Sequence, residues 1–296
     1  MLNFIVRNLF MYLNICYKRL NQKTMKRTVT LFPAVIFLFL FSCENDPYSE
    51  LEFINNGTLL KEVKIGGEAY SEYTYNETVL VLEEKSKFHY SKYEYNNQNQ
   101  LIHSDHYWDE RIASSSSAEL NEAMQRTEWV SPGNTEKDTY SSYRYSGTGQ
   151  LKETETLRIN DGYTVSSTFT YNNRGWIKRR TYYSENNASS YDEYYYDNVG
   201  NLVKKERYDI LSEGNNELRT TTEYEFDNKN NPYYSFRGLM IPGENTNLNN
   251  IIKETYTLHF EVDDFIDPIQ ITEYSYEYNS NDYPVKRNDS REFVYY

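Results

Sequence analysis

The chain has 296 residues, among them 44 acids, 31 Lys or Arg, 32 tyrosines and only two cysteines. Six bases (Arg7, Lys18, Arg19, Lys23, Lys26 and Arg27) precede Cys43 among no acids, so from Cys43 onward 25 bases face 44 acids, a formal charge of −19. That excess excludes nucleic acid and anionic head groups as partners, which demand a cationic footprint, and a lone mature cysteine offers neither an intramolecular disulfide nor a thiolate metal site.

Residues 25–42 read as a lipoprotein signal peptide: Lys26 and Arg27 are its basic start, Val29 to Phe41 its apolar stretch, and Ser42 the small residue before Cys43. Residues 1–24 share nothing with such a signal and read as an over-extended start, with Met25 the initiator. The run Leu40, Phe41, Ser42, Cys43 resembles a bacterial lipobox. The resemblance implies cleavage before Cys43 and diacylation of its thiol, and two acyl chains suffice for stable anchoring. Glu44, Asn45 and Asp46 follow, similar to the acidic tether of Gram-negative lipoproteins exported to the outer face of the outer membrane. The expected location is therefore the outer membrane, at the cell surface rather than in the periplasm, with the membrane a partner through the N-terminal lipid. Residues 43–69 form the tether and lead-in, and residues 70–296 a repeat domain.

From Cys43 onward Leu, Ile, Val and Phe make up 46 of 254 residues, about 18%, a fraction that in a highly charged chain ordinarily signals disorder. Thirty tyrosines in the same stretch reverse that expectation, since each ring buries about as much surface as a phenylalanine.

From about Tyr73 a phrase recurs, in copies starting at Tyr93 (YEYNNQNQLI), Tyr143 (YRYSGTGQLK), Phe169 (FTYNNRGWIK), Tyr194 (YYYDNVGNLVK), Tyr224 (YEFDNKNNPY) and Tyr276 (YEYNSNDYPVK). Their second aromatics, at 95, 145, 171, 196, 226 and 278, lie 50, 26, 25, 30 and 52 residues apart, a unit of about 25 with two double gaps. Aromatic, polar, aromatic is a half-buried strand. The Asn, Asp and Gly that follow are turn chemistry, and the Leu, Ile or Pro after them restarts a strand. The fold expected is all-β: an antiparallel meander of about seven hairpins, with one short helix inserted over Ala118 to Arg126.

The phrase YYYDNVGNLVK at Tyr194 to Lys204 resembles the YD repeat, also called the RHS repeat, and looser copies extend the resemblance over roughly residues 70–290. FDNKNNPYYSFRGL at 226–239, NNIIKETY at 249–256 and YEYNSNDYPVK at 276–286 are similar to outer-membrane lipoproteins with a tyrosine-rich β-repeat domain of unknown function. The resemblance implies antiparallel hairpins. It does not carry over the shell that long YD-repeat chains build, for which this chain is too short.

Chemistry is sparse. His103 and His106 flank Asp105, but residues three apart on a strand face opposite ways, so no metal site and no cofactor is expected. The serines lack a GxSxG elbow and there is no Gly-rich phosphate loop, so no catalytic residue is assigned and the protein is expected not to be an enzyme. The paired aromatics of each copy form the core stripe. Rings that point away from it, Tyr195, Tyr183 and Tyr234, with Trp176 and Trp108, are the candidate contacts for a glycan or protein ligand. The expected function is a noncatalytic surface binding or adhesion module. A structural subunit of an envelope assembly and a polysaccharide-acting enzyme are the alternatives.

Overall fold

The computed structural model describes residues 58–108, 129–211, 215–239, 241–243, 246–261 and 267–296. Seventeen strands belong to one sheet: β1 Leu60–Ile65, β2 Glu68–Tyr75, β3 Val81–Ser86, β4 His89–Tyr95, β5 Leu101–Trp108, β6 Lys137–Tyr145, β7 Leu151–Arg158, β8 Thr164–Tyr171, β9 Ile177–Ser184, β10 Asn187–Tyr196, β11 Leu202–Ile210, β12 Asn216–Phe226, β13 Ile251–Leu258, β14 Ile269–Glu273, β15 Tyr276–Tyr278, β16 Pro284–Arg287 and β17 Arg291–Tyr295. Each strand from β1 to β13 pairs antiparallel with the next, as do β15 with β16 and β16 with β17. The last strand then returns to the first, with Val63 opposite Phe293 and Ile65 opposite Arg291. β14 and β15 act as one interrupted strand. Tyr274 N–H donates to Ile252 O on one side, and Ser275 O accepts from Asn288 N–H on the other, so the ladder passes from β13 to β16 and the sheet closes.

Turn chemistry explains the hairpins. In seven turns the first residue (Asn76, Asn96, Ser146, Asn172, Asp197, Asp227 or Asn279) accepts with its side-chain oxygen the N–H of the residue that completes the turn. Its own N–H donates to that residue's carbonyl. The fourth position takes a left-handed φ at Val79, Asn99, Gly149, Gly175, Gly200 and Asp282, which is why Gly, Asn and Asp gather there. Val79 hides the first copy, Tyr73 to Val81, from a reader who looks for glycine.

The copy at Tyr224 does not restart a strand at Pro232, as the phrase suggested. Asp227 N–H donates to Asn250 O, and Asp227 Oδ1 accepts from Asn250 N–H at 3.0 Å, so Asn250 completes the turn and Ile251 restarts the strand. Residues 231–249 are thus inserted within one turn. They carry a 3₁₀ helix, Tyr234–Leu239, whose buried Phe236 packs on Tyr73, Tyr75 and Tyr233. The helix expected over Ala118 to Arg126 lies outside the described residues. β1 falls in the segment read as lead-in, yet it belongs to the sheet: Leu60 and Val63 are fully buried.

Closure also forms an eighth copy from two distant segments. Phe293 and Tyr295 are its aromatics, Leu60 its restart residue opposite Tyr295, and Tyr296 N–H donates to Leu59 O where the other turns use their first residue.

The same hydrogen bond joins seven of the eight copies to the one before. The inter-hairpin ladder starts two residues past each restart residue, at Glu62, Glu83, His103, Glu153, Arg179 and Lys253, leaving the restart carbonyl outside it. A buried carbonyl must find a donor. Tyrosine hydroxyls supply it: Tyr75 to Leu60, Tyr95 to Val81, Tyr145 to Leu101, Tyr171 to Leu151, Tyr196 to Ile177, Tyr276 to Ile251 and Tyr295 to Pro284, at 2.6–2.9 Å. Phe226 breaks the series; there Asn247 Oδ1 reaches in and accepts the Leu202 N–H. Burial pushes the Tyr171 phenol up to about 12, so it is a neutral donor at any physiological pH.

The inward face carries the core, two clusters around Tyr73, Tyr93 and Phe236 and around Phe169, Tyr194 and Leu202, bridged by Tyr143. The opposite face alternates charges: Glu83 with Lys85, Lys92 with Glu94, Arg144 with Glu153, Lys204 with Glu206. Lipid-facing strands need an apolar outer band, so this face is built for water.

Replacing Tyr171 by Phe removes only the hydroxyl and strands the Leu151 carbonyl. The expected cost is about 1–3 kcal/mol, read from urea unfolding, whereas Tyr163→Phe at an exposed hydroxyl should change stability by less than about 0.5 kcal/mol.

Candidate functional site

The β8–β9 and β10–β11 hairpins leave a cleft of about 480 Å³ beside their turns, lined among others by Trp176, Tyr195, Arg174, Lys178, Glu193 and Asn198. Two of the residues read from sequence as contacts, Trp176 and Tyr195, meet here.

Trp176 closes its turn, its N–H held by Asn172 Oδ1 at 3.1 Å. The indole packs on Tyr196, ring centroids 5.3 Å apart, and crosses Gly200 of the next turn, where a Cβ would stand 3.2 Å from the ring. Gly200 also has φ +107°, so both space and backbone demand glycine. Arg174 lies 5.2 Å from the indole centroid and donates to Asn198 O at 3.3 Å, pinning one turn to the next.

Tyr195 points outward because Tyr194 and Tyr196 take the inward positions, and it is 37% exposed. Lys204, directly opposite on β11, sits 4.3 Å over the ring. The phenolic oxygen lies 2.9 Å from both Glu193 Oε2 and Glu206 Oε2, so one proton is shared between two carboxylates. Burial, then these hydrogen bonds to Glu206 and Glu193, drive its pKa well above the ordinary value. For Glu193 burial acts upward, but hydrogen bonds from Arg179 and Tyr195 hold it below the usual carboxylate range; Lys204, Tyr195 and Tyr208 do the same for Glu206. Both stay ionised. A carboxyl serving as general acid needs a raised pKa, so this pair fixes the ring rather than delivering protons. Beyond it Tyr191, 6% exposed, stacks on Tyr208 at 4.8 Å and is covered by the Arg179 guanidinium 4.1 Å over its ring, so this pair braces Glu193 and Glu206 from the side rather than adding open aromatic area.

The remaining sequence candidates lie elsewhere and do not line this cleft. Trp108 ends β5, 42% exposed and stacked on His89. Tyr183, half-buried on β9, has its hydroxyl 3.3 Å from Thr168 Oγ1. Tyr234 opens the 3₁₀ helix under Arg237. Arg174, Lys178, Glu193 and Asn198 were missed; aligning the copies turn by turn would have placed Arg174 beside Asn198, since successive turns are spatial neighbours.

His103 and His106 take opposite faces of β5. His103 Nε2 meets Asp105 at 2.9 Å, while His106 lies between Ser91 and Ser104 at 2.8 and 3.0 Å. Among the described residues no three His, Cys, Asp or Glu side chains gather to hold a metal ion. The Asp197 oxygens are spent on Val199, Gly200 and Asn201 N–H groups and on Asn201 Nδ2.

No protein-family model matches the sequence, and no curated protein does. Among solved structures the chain is similar to a porin-like protein from Bacteroides vulgatus, at 11% identity and a TM-score of 0.45 over 81% of this chain and 99% of that one. A porin-like protein from Bacteroides uniformis gives 11% identity and a TM-score of 0.37 over 80% and 94%. A TcdB2–TccC3 structure gives 15% identity and a TM-score of 0.29 over 77% of this chain, which spans only 11% of that one.

Gly200→Ala should displace the indole. In a Trp108→Phe, Trp129→Phe background the Trp176 fluorescence is expected to shift and stability to fall by about 1 kcal/mol or more, while Gly133→Ala, which meets only Ser131 Oγ at 3.8 Å, should change neither.

Proposed function

We propose that the protein is a YD-like repeat lipoprotein, anchored through Cys43 at the surface of the outer membrane, and that it is a noncatalytic binding or adhesion module for a glycan or protein ligand. One observation carries the reading: Trp176 and Tyr195 stand in one cleft with their orientation fixed beforehand by Gly200, Arg174, Glu193 and Glu206. Rigid aromatic area with a hydrogen-bonding rim is what sugar rings and protein hot spots use, because little side-chain entropy remains to be lost on binding. The repeated turn supports the YD-like assignment, and the water-suited outer face supports anchoring by lipid rather than by strands in the bilayer. The ionised, base-paired carboxylates favour binding over hydrolysis.

A structural role has one specific observation in its favour. Among the described residues β14 has a paired register with β13 alone, and its Ile269 and Ile271 are 50% and 59% exposed, which suits edge-to-edge assembly.

Trp176→Ala and Tyr195→Ala are expected to keep the circular dichroism of the wild type while weakening capture on glycan and surface-protein arrays by about 30-fold. Protease shaving of intact cells should remove the wild type. A Cys43→Ala variant should be released from the membrane. Unchanged capture by both aromatic variants would reject the cleft, and isolation only as a stoichiometric envelope complex would favour the structural role.

A further inference from the structure

On the inward face, toward the strand ends away from the asparagine turns, a second cavity of about 270 Å³ is lined by Val63, Phe236 and Leu239, by tyrosine rings, and by two charged side chains, Glu84 and Arg291. Glu84 is engaged, its Oε1 3.2 Å from His89 Nε2. Arg291 differs. It shares the inward side of β17 with buried Phe293, and its Nε, itself buried, has no hydrogen-bond partner among the described residues. Of the acids beside it in sequence, Glu292 takes the other face of β17, opposite Lys64 and Lys286, and Asp289 is held by Arg287 Nε and Nη2 at 3.0 and 2.8 Å.

A buried guanidinium N–H with no acceptor calls for an explanation, and here the residue opens onto a cavity. The planar guanidinium fork suits a carboxylate, which it binds through two parallel bonds. Glu84 disfavours a dianion in the same space, and the apolar walls ask for a hydrocarbon body. A cavity of about 150 Å³ already admits benzene, so this one has room for a ring or a short chain plus its carboxylate.

We propose that the cavity binds a small organic monocarboxylate, its carboxylate on Arg291 and its apolar body against Val63, Phe236 and Leu239. The site is independent of the Trp176 cleft.

The full chain, purified in detergent, is titrated calorimetrically with phenylacetate, hexanoate and the neutral phenylacetamide. At least one acid should bind saturably, one per chain, with the amide silent; which acid wins distinguishes an aromatic from an aliphatic source. Arg291→Gln should weaken that acid about 10- to 100-fold, and Trp176→Ala should leave it unchanged. Arg291→Lys, which keeps the charge but loses the fork, should fall between, and serves as the variant if Arg291→Gln does not fold. Failure of both acids to bind the wild type, equal binding of the amide, or undiminished binding by the folded variants would overturn the proposal.

Discussion

The hydrogen bond from a tyrosine hydroxyl to the restart carbonyl of the preceding hairpin is the constraint on which the rest of the structure depends. Each hairpin alone is marginal, as two-stranded units are in water. The bulge beside each turn leaves a carbonyl that the inter-hairpin ladder does not reach. A phenylalanine in the tyrosine's place would bury the same ring but leave that carbonyl unpaired. The chain is therefore rich in tyrosine for a reason beyond hydrophobic area: one residue supplies both the core ring and the donor that fixes its hairpin against the last. Phe226 is the exception: at that joint a long turn insertion ties the copies instead, Asn247 Oδ1 accepting the Leu202 N–H and Asn249 Oδ1 accepting from Asn201 Nδ2.

Much of this was legible in the residues. Alternation placed Tyr194 inward and Tyr195 outward, and the turns were marked by Asn and Asp, whose short oxygen accepts from two backbone N–H groups, and by Gly at the left-handed fourth position. What stayed hidden was every feature that separates residues adjacent in space. The turn shared by Asp227 and Asn250 is split by the inserted segment. The eighth copy is assembled from segments far apart in the sequence, Phe293 and Tyr295 in β17 and Leu60 in β1. The first copy carries Val79 where others carry Gly or Asn, with φ +64°.

The candidate cleft follows from the same repetition. Because equivalent turn positions stack on one another, Trp176 in one copy overlies Gly200 in the next, and Arg174 reaches Asn198. The residues were individually visible, but their convergence was not, since it depends on the register between hairpins. The two charged side chains of the second cavity, Glu84 and Arg291, come from strands that meet only because the sheet closes.

Closure is the central claim, and a crosslink between the strands that meet last tests it most directly. Lys64 on β1 lies opposite Glu292 on β17 on the outer face. With Cys16 and Cys43 replaced by serine, Lys64→Cys with Glu292→Cys should oxidise to an intramolecular disulfide in the folded protein, at a rate independent of protein concentration. A pair that stays reduced, or that links only separate molecules, would contradict the closed sheet and the eighth copy with it.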